Sequence, residues 1–298
     1  MSVASPSSTP AQGAFRKFRE RNSRILPNIK ARIGVGLLLV FVLLAVLAPV
    51  ISPYSPTYTG FSLGASPSPA HLLGTTRSGQ DILSQLIWGT RPSLDVSLTT
   101  GFITMLLAVA IGILAGLLEG IIDEILMLFT NIVLVLPSIV LVIVISSYIS
   151  AASDVTISFI IALTSWPWGA RVIRAQTLHL KSKDFVKAAI ASGENHFRIA
   201  FFEILPNMFS LVAANFFFTC LYAVVTVASL QFLGLGNINA ISWGSILYWA
   251  NNSNALMIGA WWWFLPPGLA IGLLGAAFAL INFGIDELTN PRLRREGR

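Results

Sequence analysis

Six long apolar stretches divide this chain, over roughly 33–51, 96–118, 125–149, 155–173, 208–230 and 256–285. A bilayer core about 30 Å thick is crossed by roughly 20 apolar residues of helix, and each stretch is close to or above that length. The charges then orient the stretches. Of the 19 Lys and Arg residues, all but Arg77 and Arg91 fall in segments that a serpentine path puts on one side. Cytoplasmic loops carry the excess of Lys and Arg. The expected fold is an all-α membrane protein with six transmembrane helices and both termini cytoplasmic, a multi-pass protein of the cell membrane.

Composition agrees with this. Hydrophobic residues make up 55% of the chain and charged residues 11%, where a soluble chain carries about a quarter charged. The net charge of +6 follows from the one-sided bias of Lys and Arg. No stacking-aromatic or zinc-finger pattern accompanies it, so nucleic acid is not an expected partner. The single cysteine, Cys220, has no disulfide mate. It reads as a small apolar packing residue.

The sequence divides into a basic cytoplasmic tail over 1–32, a transmembrane region over 33–285 and a second basic tail over 286–298. The first apolar stretch is expected to stay as an uncleaved anchor, because its polar lead is long and no clear small-residue cleavage site follows. An outer segment spans 52–95. Pro53, Pro56, Pro67 and Pro69 oppose regular structure in its first half. Ser78 and Asp81 have the spacing of a capping box. Ile82, Leu83, Leu86 and Ile87 then form one apolar face. This predicts a short amphipathic helix, lying at the outer interface or packing on a partner.

The six stretches are almost free of Asp, Glu, Lys, Arg and His. An ion-coupled secondary carrier usually needs such groups near mid-membrane, and a hydrolase needs an acid, a base or a metal. No Walker A sequence occurs, so a pump of this kind would draw its energy from another subunit. In the fifth stretch Asn215, Thr219, Tyr222, Thr226 and Ser229 recur at spacings of 4, 3, 4 and 3. That spacing puts them on one helical stripe about 21 Å long. Facing lipid they would lose their hydrogen-bond partners. They face either a water-filled translocation path or a neighbouring helix. Pro137, Pro167, Pro266 and Pro267 fall inside stretches and are expected to bend them.

Between the fourth and fifth stretches lies a basic inner loop, 174–207. Ala188, Ala189, Ser192 and Gly193 form a flat small-residue face, and Gly193 suits a break between two short helices. Phe197, Ile199, Phe201 and Phe202 add apolar anchors, and Pro206 closes the loop. Such a loop is either a docking element or an interfacial helix.

This loop resembles the Glu-Ala-Ala…Gly…Leu-Pro signature of ABC importer permeases, with matches at Ala188, Ala189, Gly193, Leu205 and Pro206. Lys187 stands where that family usually has Glu, so a salt bridge made by the family Glu does not carry over. Further stretches resemble the C-type permeases of dipeptide and oligopeptide transporters. These are His71-Leu-Leu-Gly-Thr-Thr with Gly79-Gln-Asp, Phe232-Leu-Gly-Leu-Gly, Ser242-Trp-Gly and Asn290-Pro-Arg-Leu-Arg. Thr76 and Gln80 depart from the usual Asp and Arg. The resemblance implies a type I ABC importer permease fold and a chain that carries out no catalysis itself. It implies a homologous B-type permease as partner, two ATPase subunits that bind ATP and Mg, and an external solute-binding protein. It also implies that Lys187, Ala188, Ala189, Gly193, Leu205 and Pro206 belong to the ATPase-coupling loop. Peptide is the substrate implied, with oligosaccharide or nickel as alternatives within the same class. His71 has no second metal ligand nearby and reads as structural.

Overall fold

The structure is a computed structural model that describes residues 29–149 and 153–289. Most of both basic tails lies outside the described residues. The described chain is helical, with no strand and one isolated bridge, between Thr75 and Asp81.

Helix α1 runs over Ile29–Ile51 and α2 over Ile82–Leu118. Then come α3 (Gly120–Val135), α4 (Ser138–Ser147), α5 (Asp154–Lys181) and α6 (Asp184–Ala191). A short turn, α7 (His196–Arg198), leads through a π-helical segment at Ile199–Ile204 into α8 (Phe209–Phe232). Helices α9 (Trp243–Asn252) and α10 (Trp261–Thr289) complete the chain.

Four helical segments are long and apolar enough to cross a membrane: α1, α2, the run from His196 through α8 to Phe232, and α10 up to Ile285. Helices α3 and α4 together make a fifth, bent by 80°. The 125–149 stretch, expected as one bent helix, is therefore broken in two. Pro137 offers no N–H to the preceding turn. Leu136, just before it, takes an extended ψ of 128°, the conformation that a following proline imposes. Helix α5 has 28 residues, but Thr164, Ser165, Trp166 and Arg171 make it less apolar than the others.

Large apolar side chains stay exposed all round the bundle, among them Leu43, Val50, Phe102, Ile121, Phe129, Val135 and Phe159. Water does not tolerate so much contiguous apolar surface, whereas lipid does. Inside, α2 packs along α5 at very short range. A Cβ on Gly112 would stand 2.7 Å from the Ala170 carbonyl oxygen, and one on Gly116 would stand 2.7 Å from Thr177 Cβ. Glycines four residues apart let helix backbones meet this closely.

Pro49, inside α1, leaves the Ala45 carbonyl without its helical donor. Arg91 of α2 replaces that donor: its Nε bonds to Ala45 O at 2.5 Å, and its guanidinium lies 5.1 Å from the Trp88 ring centroid. Trp243 is fully buried where α9 meets α2, donating its indole N–H to Leu86 O at 3.1 Å.

The outer segment ends differently from the sequence expectation. There is no separate amphipathic helix, because Ile82 opens a helix of 37 residues. Asp81, not Ser78, is its N-cap, accepting from the Ser84 amide at 2.8 Å and the Ser84 hydroxyl at 2.7 Å. Asp81 is also held 2.9 Å from His71 Nδ1. His71 thus has a structural partner that locks the proline-rich loop onto the start of α2.

Candidate functional site

Two places on the bundle combine polar chemistry with access. The first is a cavity of about 190 Å³ where α2, α5, α8 and the α3–α4 break meet. Thr104, Ser138, Thr164, Ser165, Thr219 and Tyr222 line it, together with apolar groups and Trp168. No charged residue does. Tyr222 and Ser138 hydroxyls lie 3.1 Å apart, tying α8 to the first residue after the break. The Thr104 and Ser165 hydroxyls are buried with no partner among the described residues. Each such group costs about 1–3 kcal/mol, so the packing around the cavity holds unmet hydrogen-bonding capacity.

Only part of the α8 stripe reaches this cavity. Thr219 and Tyr222 line it; Asn215, Thr226 and Ser229 do not. Asn215, Thr219 and Ser229 bond to carbonyls four residues back, at 2.8–2.9 Å. A helix can satisfy Asn, Thr and Ser in this way, so a polar stripe does not by itself demand water. Thr104, Ser138 and Thr164 had no place in the sequence reading. They sit on three helices, and only packing unites them. The break at Pro137 was the one signal that pointed to Ser138.

The second place is the loop that begins at α6. Val186, Ile199 and Ile204 are buried and anchor it to the bundle. Lys187, Ala188, Ser192 and Gly193 are exposed, and Ala189 is partly so. Gly193 has φ +77°, a left-handed value that ends α6 and that L side chains resist. Phe185, Ile190, Phe197, Phe201 and Phe202 are all exposed, an apolar surface that needs a cover. Lys187 makes no ion pair among the described residues. Beyond Phe202, Pro206 cannot donate to the turn before it. The backbone there widens instead, with the Leu205 amide bonding to Ala200 O at 2.9 Å, a π-type bond common where helices are interrupted.

The base of this loop is held electrostatically. Arg174 makes a forked pair with both Asp123 oxygens. Lys181 bonds to Leu117 O at 2.7 Å and lies 3.1 Å from Glu119. The acidic turn between α2 and α3 thus clamps the end of α5, and α6 follows directly.

A bundle of long, lipid-suited helices, with an uncharged inner cavity and an exposed loop at one end, defines a multi-pass membrane protein that acts through partners. Residues 108–295 match the family described as binding-protein-dependent transport system inner membrane component, and the chain belongs to that family. It is 36% identical over 278 residues, 92% of each chain, to a Brucella abortus protein whose name provisionally makes it a peptide transport system permease. It is 31% identical to the dipeptide transport system permease protein of Bacillus subtilis, covering 99% of this chain and 89% of that one. It is 32% identical to the dipeptide transport system permease protein of Haemophilus influenzae, covering 96% of each. The chain is thus the permease component of an ABC importer that depends on a binding protein and an ATPase. This sets aside the ion-coupled carrier.

Proposed function

We propose that this chain is one of two transmembrane subunits of an importer for peptides, paired with a homologous B-type permease. Two ATPases dock on one face, binding ATP and Mg, and a solute-binding protein docks on the other. Peptide as cargo is supported by the names of the relatives from Bacillus subtilis and Haemophilus influenzae. Helix α5 supplies the sixth crossing. Its 28 residues have a length of about 42 Å, and it packs along α2. Both termini then lie in the cytoplasm, as the Lys and Arg bias requires. The basic tails over 1–32 and 286–298 flank the transmembrane region, and 174–207 is the cytoplasmic coupling loop.

The observation that carries this reading is the exposed surface of α6 and its left-handed break at Gly193. A flat face of Ala188, Ala189 and Gly193, flanked by Phe185 and Ile190, suits a groove on a partner. Movement there passes through Leu205 and Pro206 into α8, which carries Thr219 and Tyr222 into the cavity. The cavity forms part of the translocation path through Thr219 and Tyr222, and Ser229, only partly buried, extends it; Asn215 and Thr226 are buried within this chain and serve helix packing instead. The switch is driven by the differential affinity of its two conformations for the ATPases and the binding protein.

The test is Gly193→Trp, with Gly193→Asn as control because Asn tolerates left-handed backbone. In the assembled importer, Gly193→Trp is expected to leave ATP hydrolysis running while uptake falls. Gly193→Asn is expected to keep the two coupled. Coupled uptake in the Trp variant, with ATPase subunits still co-purifying, overturns the docking role.

A further inference from the structure

At the end of the bundle away from α6, a second cavity of about 220 Å³ lies between the outer segment and the α8–α9 loop. Thr57, Gln80 and Gln85 line one side, and Asn239, Trp249 and Trp263 line the other. No Asp, Glu, Lys, Arg or His contributes to its wall.

Its hydrogen-bonding capacity is built and only partly used. Gln85 is 8% exposed, and its Nε2 donates to Gln80 Oε1 at 3.0 Å and to Pro56 O at 3.4 Å. Both acceptors are carbonyl oxygens, which fixes the orientation of the Gln85 amide. Gln85 Oε1 and Gln80 Nε2 are left with no partner among the described residues. Trp263 is 3% exposed, and its indole N–H is buried with no partner either. The wall thus presents neutral side-chain amides of Gln85, Gln80 and Asn239 beside two indole rings, and the Trp263 N–H is an unpartnered donor on one of them. An ion placed there would shed water with no countercharge. A peptide group carries the complement, one C=O and one N–H, without charge. The volume is below the roughly 300–1,000 Å³ of whole small-molecule sites, which suits a piece of a longer ligand.

We infer that this cavity is a subsite for an uncharged peptide segment, seating a backbone amide against Gln85, Gln80 and Trp263 as cargo enters. The inference rests on the peptide-importer reading for the source of the ligand and for this end facing outward. Cargo is then held by its backbone, which all peptides share, and not by its charged termini.

The test uses the full-length chain in lipid nanodiscs with isotope-labelled tryptophan indoles, the Trp263 signal being assigned with Trp263→Phe. The ligand titrated is N-acetyl-alanyl-alanine-N-methylamide, which has no charge. The Trp263 N–H resonance is expected to shift saturably at millimolar concentration. Gln85→Leu and Gln80→Leu, each of similar volume, are expected to weaken binding about tenfold, the effect of roughly one lost good hydrogen bond. Gln80 is only half-buried, so its variant stands as the test if Gln85→Leu does not fold. No saturable shift, undiminished affinity in the leucine variants, or an equal shift with maltose overturns the assignment. The titration needs no ATPase. A chain that co-purifies with its ATPases but shows no shift defeats this inference alone; one that shifts but never co-purifies defeats the importer reading.

Discussion

Replacing Gly112 with leucine attacks the contact on which the bundle most depends. A Cβ at that position would lie 2.7 Å from Ala170 O and 2.8 and 2.9 Å from Ile173 Cβ and Cγ2. Carbon contacts settle at about 3.5–4.0 Å, so α2 and α5 would have to part by roughly 0.7–1 Å. Gaps of that size forfeit a quarter to a half of each dispersion well along the seam. Overpacking of this kind costs typically about 1–3 kcal/mol. The better helix propensity of leucine returns less than about 1 kcal/mol. The net loss is about 1–2 kcal/mol for the Cβ alone and more for the full side chain. For a chain of this size that lowers Tm by roughly 2–3 °C for the Cβ alone, and by more for the full side chain. Gly36 of α1 is the control, because nothing lies within 4 Å of a Cβ there. Thermal unfolding of both variants in the same detergent decides the matter. Gly36→Leu is expected to melt within about 1 °C of the parent. Equal melting of Gly112→Leu and Gly36→Leu would refute the close-packed seam.

Arg91→Met is expected to destabilise by about 1–3 kcal/mol, because the Ala45 carbonyl beside Pro49 loses its only replacement donor. Adding Pro49→Ala restores a helical N–H to that carbonyl, so a double-mutant cycle measured by unfolding should show part of the loss recovered. Asp81→Ala removes the α2 cap and the partner of His71, and should cost about 1–2 kcal/mol in the same assay. Thr219→Trp fills much of the α2–α5–α8 cavity; uptake should fall steeply in an importer whose assembly is verified, and normal uptake would remove this cavity from the path.

The apolar helices, the irregular proline-rich loop, the break at Gly193 and the bend at Pro137 were all legible in the residues. Each follows from local chemistry: side-chain hydropathy, a missing N–H, or a backbone angle that only glycine adopts freely. Even so, the reach of such signals was short. Ser78 and Asp81 had capping spacing, yet the cap went to Asp81, whose carboxylate caps with one oxygen and meets His71, ten residues earlier, with the other. The α8 stripe was visible by its period, but period says which side chains share a face and not what that face meets. Three of its five members turned back to their own helix.

What the sequence determined by itself was the solvent this chain folds in, written in the run of apolar residues, and the class of machine it joins, carried by the resemblance of the loop and several other motifs to a known family. What only the tertiary structure decided was which polar groups stand together. Thr104, Ser165 and Tyr222 come from three helices, and Gln85 and Trp263 lie far apart in the chain. The first meeting depends on how α2, α5 and α8 pack around the break after α3, and the second on how the outer segment and the α8–α9 loop fold over the ends of α2 and α10. Those are properties of packing between surfaces, and no single segment contains them.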